Sequence, residues 1–293
     1  MGFKSGFIAV VGRANVGKST LVIALVGHKV AIVSDKAQTT RDRIQGIVTT
    51  DDYQMIFLDT PGMHKPKNKL DQRMKNIILN SLEEVDLVLY LIDISQGYGP
   101  GDAFMMDIVD KKKTIFIANK IDKLSQKQTQ DNLKEIEGID EFLDCMALSA
   151  IDPNTLDGLK KKIVEHLPEG PKYFFEEENS DREFRFHVTE VIREKMLNYL
   201  DKEVPHGVAV VLNSYNTRND ILYIQCDIIV EKESHKAIII GKNGRKIKGI
   251  GKVARLELED EYSQKIMLEL YVKVRKNWRD SQTRLQEFGY SDE

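Results

Sequence analysis

Gly12-Arg13-Ala14-Asn15-Val16-Gly17-Lys18-Ser19 is the most informative segment of the chain. It fits the pattern G-x-x-x-x-G-K-[ST] in full. An apolar run, Phe7 to Val11, precedes it, and an apolar-periodic segment, Leu21 to Val26, follows it. That is the strand–loop–helix setting in which glycines let backbone N–H groups curl round phosphates and a helix N-terminus adds partial positive charge. Lys18 can reach β- and γ-phosphates, the Ser19 hydroxyl can ligate Mg²⁺, and Thr20 opens the helix beside them. The stretch predicts a nucleoside triphosphate site.

Working outward, the 293 residues are enough for two domains of ordinary size. A charged fraction of 30% and an apolar fraction of 41% suit a globular chain. The net charge of −3 does not announce a nucleic-acid partner, so any basic surface must be local. Cys145 and Cys226 read as reduced core residues in apolar strand-like runs, without a metal-ligand pattern. No apolar run is as long as a membrane span, there is no signal-peptide pattern, and the Met1-Gly2 start lacks the rest of a myristoylation motif. These features point to the cytoplasm.

Further strands end in residues that suit the same ligand. Gln54 to Leu58 runs into Asp59-Thr60-Pro61-Gly62, where a second Mg²⁺-side carboxylate belongs and where the Gly62 N–H can turn toward a γ-phosphate. Thr114 to Ala118 runs into Asn119-Lys120-Ile121-Asp122. A carboxylate at Asp122 can accept both N1–H and N2–H₂ of guanine, whereas adenine would leave it unpaired, so the base is expected to be guanine. Asn119 and Lys120 can brace that loop, and a backbone N–H at Ser149-Ala150 can reach guanine O6. Strands alternating with helical segments, such as Lys69 to Val85 and Thr155 to Leu167, predict a doubly wound, mostly parallel α/β sheet with the ligand at the strands' carboxyl ends.

These motifs, in this order from Phe7 to Leu167, strongly resemble the TrmE–Era–EngA group of translation-factor-type GTPases. The resemblance implies GTP and GDP as ligands, with Mg²⁺ held by Ser19, Thr40 and Asp59, and GTP hydrolysis as the activity. Thr40 would be the switch threonine, with Thr39 the adjacent alternative. Catalysis would draw on Lys18, Asn15, Thr40 and Gly62. Met63 follows Gly62 where small signalling GTPases carry a water-positioning Gln, and Met cannot orient a nucleophile. Asn15 matches the family's asparagine that helps hold K⁺, whose charge can take the place of an arginine finger; a loop-stabilising amide is the competing reading. Arg13 reads as a solvated side chain within the loop.

Leu167-Pro168-Glu169-Gly170-Pro171 closes the first domain, placed at 1–169, and an acidic stretch ending in Asp181 reads as a solvated linker over 170–182. In 183–293 the pattern changes. Val188, Val191, Ile192, Met196, Tyr199 and Leu200 recur at helical spacing. Val208 to Leu212 reads as a short strand, Ser214 to Asp220 as a turn, and Ile221 to Val230 as an alternating strand. A run from Lys236 to Ile240 meets Gly241-Lys242-Asn243-Gly244, then a helix with Ile247, Ile250, Ala254 and Leu258, then an alternating strand from Ile266 to Val274. Helix, strand, strand, helix, Gly-x-x-Gly, helix, strand resembles a smaller α+β KH domain of the bacterial type. Two glycines let the backbone approach a sugar–phosphate chain, and Lys236, Lys242, Arg245, Lys246, Lys248, Lys252 and Arg255 form a basic run without Asp or Glu. Single-stranded RNA is the expected partner, with Asn243 in the contact loop.

A GTPase domain followed by one KH domain resembles the Era-type ribosome-assembly GTPases. That resemblance implies the 3′ end of small-subunit ribosomal RNA and the 30S subunit as partners, a monomeric chain, and peripheral association with the inner face of the cell membrane. Rival readings fit less well, and Asn119-Lys120-Ile121-Asp122 disfavours an ATP-dependent kinase. A tRNA-modification GTPase of the same group would carry a C-terminal cysteine motif, yet the last cysteine here is Cys226; a double-GTPase relative would need a second phosphate loop. An RNA-binding module with a structural, unhydrolysed nucleotide draws some support from Met63.

Overall fold

The computed structural model describes residues 2–27, 44–62, 66–174, 181–200, 204 and 207–290. Thr39, Thr40 and Met63 lie outside them. The chain divides into two compact units, 1–67 with 71–176 and 68–70 with 177–293.

In the first unit the elements are β1 (Lys4–Gly12), α1 (Lys18–Val26), β2 (Ile44–Thr49), β3 (Tyr53–Asp59), α2 (Lys69–Glu83), β4 (Leu87–Asp93), α3 (Pro100–Ile108), β5 (Thr114–Asn119), α4 (Gln126–Lys134), β6 (Asp144–Ala147) and α5 (Pro153–His166). The sheet order is β2-β3-β1-β4-β5-β6, with β2 antiparallel to β3 and every other pair parallel. Parallel strands covered on both faces read as continuous apolar runs, and every residue of β4 is buried. Along β1 the two-residue period sends Ile8 and Val10 into a core with Leu21, Leu25, Leu159 and Ile163 of α1 and α5. Ala9 and Val11 enter the opposite core with Ile78, Leu82 and Met105 of α2 and α3. This is the doubly wound sheet the alternating pattern predicts.

Cys145, expected in the core, is exposed on β6, the last strand in the described sheet order; Cys226 is buried as expected. Residues 170–174, expected to open the solvated linker, run along the first unit instead. Gly170 N–H donates to Phe3 O (3.0 Å), Ser5 Oγ donates to Pro171 O (2.7 Å), and buried Gln54 brackets Tyr173 and Phe174 with three hydrogen bonds.

In the second unit the elements are α6 (Asp181–Tyr199), β7 (Ala209–Arg218), β8 (Ile221–Val230), α7 (Glu233–Ile240), α8 (Arg245–Tyr262), β9 (Lys265–Val274) and α9 (Gln282–Glu287). β8 pairs antiparallel with β7 and parallel with β9. Leu222, Ile224, Cys226, Ile228 and Val230 all enter one core with Val188, Ile192 and Met196 of α6 and Ile250, Ala254 and Leu258 of α8. Tyr199, expected on the apolar face of α6, is 43% exposed. The region read as a turn is mostly strand: β7 continues to Arg218, and only Asn219 and Asp220 turn the hairpin, both at positive φ (50° and 61°). Asn and Asp tolerate that backbone region, which matches the twist of the flanking strands.

Candidate active site and nucleic-acid loop

The carboxyl ends of four strands, β1, β3, β5 and β6, place the predicted nucleotide residues. β1 delivers Gly12, whose added Cβ would lie 2.3 Å from Leu91 O. The loop then carries Arg13 and Ala14, reaches exposed Asn15 at φ 65°, tucks Val16 fully into the core, and closes on Gly17 at φ 101°. A side chain at Gly17 would collide with Asn119 Nδ2 at 2.3 Å. α1 begins at Lys18, with Ser19 and Thr20 in its first turn. Lys18 is 6% exposed and its Nζ donates to the carbonyls of Gly12 (3.1 Å) and Arg13 (2.8 Å). Burial pushes its amine down from 10.5 to about 8, with Asp59 opposing the shift.

β3 ends in Asp59, which accepts a 2.6 Å hydrogen bond from Ser19 Oγ at Oδ2. Thr60 Oγ1 ties the next residue to Val10 O at 2.8 Å, Pro61 is buried, and Gly62 lies against Ala14 so closely that a Cβ would be 2.8 Å from its Cα. A hydroxyl and a carboxylate oxygen side by side are hard donors of the kind Mg²⁺ takes, and the metal characteristically completes its shell with water and phosphate oxygens. Among the described residues no group of three or more His, Cys, Asp or Glu side chains is placed to hold a metal ion.

β5 ends in Asn119, 1% exposed, whose Nδ2 donates to Val16 O (2.8 Å) and whose Oδ1 accepts from Ala150 N–H (2.9 Å). One side chain therefore fastens the phosphate loop to the loop after β6. Lys120, at φ 69°, donates to Asn15 O (2.6 Å) and to Asp93 Oδ2 (2.8 Å). Ser149 Oγ donates to Asp122 Oδ1 at 2.5 Å and fixes the carboxylate expected to read the base. The structure thus brings together every predicted nucleotide residue among those described.

Two acidic residues carry no assigned role in the sequence reading. Asp93, opposite Asn119 in the β4–β5 register, gathers Lys120, Ser95 and Gln96. Burial would raise its carboxyl, but the hydrogen bonds from Lys120 and Ser95 outweigh that and hold it below the usual carboxylate range. Asp102, in the first turn of α3, is fully buried and pairs with Arg13 Nε at 2.8 Å. Burial raises its carboxyl, and the Gly99 N–H and Arg13 only partly oppose this. Arg13 is accordingly an ion-paired side chain rather than a solvated one. Register with Asn119 is the signal that could have singled out Asp93; Asp102 has none beyond a Gly-Pro-Gly-Asp helix start.

In the second unit Gly241 ends α7 at φ 69°, where a Cβ would lie 2.8 Å from Lys246 Cβ. Asn243 (φ 54°) and Gly244 (φ 71°) complete the turn, and α8 starts at Arg245 with no acidic residue in its first turn. Lys242, Asn243, Arg245 and Lys248 are exposed, whereas Lys236 on α7 and Lys246 on α8 are half-buried. Exposed Ala237 and 43% exposed Ile238 flank the turn with apolar surface. Backbone N–H groups of a helix start, basic side chains and an apolar ledge together make a surface for a sugar–phosphate backbone with unstacked bases.

Residues 7–120 match the family described as 50S ribosome-binding GTPase, and residues 203–279 match the KH domain family. GTPase Era of Thermoanaerobacter sp. (strain X514) is 49% identical over 99% of this chain and 98% of its own length. GTPase Era of Clostridioides difficile (strain 630) is 47% identical over 99% of both chains. Crystal structures of an Aquifex aeolicus Era variant bound to GDP·AlF4⁻, and of Era in complex with MgGDPNP and nucleotides 1506–1542 of 16S ribosomal RNA, each superpose with a TM-score of 0.94 at 39% identity, covering 99% of this chain and 100% of theirs. With two domains matched in order and near-complete relatives at this identity, the chain belongs to the Era family of GTPases.

Proposed function

We propose that this GTPase binds the 3′ end of small-subunit ribosomal RNA through the Gly241–Gly244 loop and uses its nucleotide state to time that binding during 30S assembly. The observation that carries the nucleotide half is the Ser19–Asp59 contact of 2.6 Å beside buried Lys18. The basic loop at the start of α8 supports the RNA half.

Asp122, steadied by Ser149, would accept the two guanine donors, in a loop that the Ala150 N–H fastens to Asn119. Lys18 would place its charge on the β- and γ-phosphate oxygens, and the N–H groups of 14–19 would surround them. Ser19 and Asp59, joined by Thr40, would hold Mg²⁺, which when bound neutralises charge on the transferring phosphoryl group. Gly62 would present its N–H to the γ-phosphate. Apolar Met63 leaves orientation of the attacking water to other groups, and Asn15 is proposed to help hold K⁺ beside the β–γ bridge. Loops carrying Thr40 and Gly62 would be ordered by GTP and released after hydrolysis.

The proposed domain limits are 1–169, with 170–174 running along that domain, and 183–293, with the chain acting as a monomer in the cytoplasm. No described helix is long and apolar enough to cross a membrane, so association with the inner membrane face would be peripheral. Phosphate release, measured with K⁺ or Na⁺ and with or without 16S 3′-end RNA, tests the enzyme. Turnover that rises with K⁺ is expected; no turnover in any condition would leave a nucleotide-stabilised RNA-binding module.

A further inference from the structure

Arg13 lies inside the phosphate loop, yet its side chain leaves the site and seats itself on the start of α3. Its Nε is 2.8 Å from Asp102 Oδ1, and its Nη2 donates to Gly97 O at 3.4 Å. The seat is built before the arginine arrives. Asp102 is 0% exposed, its Oδ2 accepts the Gly99 N–H (3.0 Å), and its carbonyl accepts the Tyr90 hydroxyl (2.8 Å). Gly101 leaves room for the arginine stem: a Cβ there would lie 2.8 Å from Arg13 Cδ and 3.1 Å from Cγ.

The backbone of the same residue faces the reaction site. Lys18 Nζ donates to Arg13 O at 2.8 Å, and the next residue, Ala14, touches Gly62. Movement of residue 13 therefore moves an acceptor of the phosphate-binding lysine and the contact with the γ-phosphate glycine. An exposed arginine paired with a surface carboxylate would hold little; one paired with a buried, pre-fixed carboxylate holds its backbone firmly.

We propose that Arg13 and Asp102 are positioning residues, which anchor the phosphate loop to the β4–α3 turn and set how long a nucleotide stays bound, without touching it. This rests on the reading of residues 12–19 as the nucleotide site.

The test uses the full chain and the dissociation rate of a fluorescent GDP, with thermal unfolding of the nucleotide-free protein beside it. Arg13→Gln and Asp102→Asn should each speed GDP release about tenfold. Their double variant should be no faster than either alone, because the two act as one unit. Arg13→Lys, which keeps charge but loses the planar fork, should fall between wild type and Arg13→Gln. Gly101→Ala keeps both charges and should favour helix α3 by propensity, while its methyl crowds the Arg13 stem. It should speed release several-fold without lowering the melting temperature, and it keeps the proposal testable where Arg13→Gln fails to fold. Melting temperatures that fall while release stays within about twofold of wild type would reduce the pair to a stabilising contact and overturn the proposal. Multiplying effects in the double variant would overturn it too. A wild-type chain that bound no GDP would remove the site reading and this inference together, an outcome separate from both.

Discussion

Raising the pH should weaken nucleotide binding through one group, Lys18. In the nucleotide-free site burial lowers its pKa from 10.5 to about 8, equivalent to about 3 kcal/mol in favour of the neutral amine. Phosphate oxygens within reach would restore the charged form, so the bound lysine titrates well above 8. The bound state then holds more protons than the free state above pH 8, and affinity falls as pH rises. With a free pKa of about 8, GDP affinity should fall about tenfold between pH 7 and pH 9, where the diphosphate is fully ionised throughout the upper part of the range. Binding should take up a proton on this amine above pH 8 and little at pH 7. Titration calorimetry in buffers of different ionisation enthalpy reads the uptake directly. In the nucleotide-free chain the sign is also fixed. The folded pKa is depressed, so the stability cost is full below pH 8 and is relieved as pH rises toward 10.5. Affinity that is flat from pH 7 to pH 9, with no proton uptake at pH 8.5, would refute the buried-lysine argument.

Three further outcomes are expected. Asp122→Asn removes the carboxylate held by Ser149 and should shift preference from GTP to xanthosine triphosphate by more than about a hundredfold in competition binding; an unchanged ratio would contradict the guanine assignment. Gly241→Asp forces a side chain onto φ 69° beside Lys246 and adds negative charge to a basic loop, so 3′-end RNA affinity should drop at least about tenfold while GDP affinity holds. Under native conditions a thiol reagent should label exposed Cys145 and spare Cys226, whose thiol burial pushes up to about 12; equal labelling would contradict the second core.

The parts legible in the sequence are those where chemistry dictates residues close together along the chain. Gly17 must be glycine because Asn119 Nδ2 would stand 2.3 Å from any Cβ, and the motif spacing carries that requirement even though the partner is far away. The β8 alternation is legible because its apolar residues share one covered face, and the β1 apolar run because both of its faces are covered. Arg13 was misread because its partner, Asp102, reaches it only through the β1–β4 pairing, and a lone Asp at a helix start looks like an ordinary cap. Cys145 was misread because an apolar tetrad does not say that its strand lies at the edge of the sheet. The distal half of β7 was read as a turn because Asn213 to Arg218 is polar; past the helical core its pairing with β8 is carried by backbone hydrogen bonds, which leave no hydrophobic signature.

On this reading the guanine nucleotide governs RNA binding at Gly241–Gly244. The most direct test is the affinity of the full chain for a single-stranded RNA matching the 3′ end of 16S ribosomal RNA, measured with Mg²⁺ and either GDP or a non-hydrolysable GTP analogue. Tighter binding with the GTP analogue, abolished by Gly241→Asp, is the predicted result; equal affinity in the two nucleotide states would contradict it.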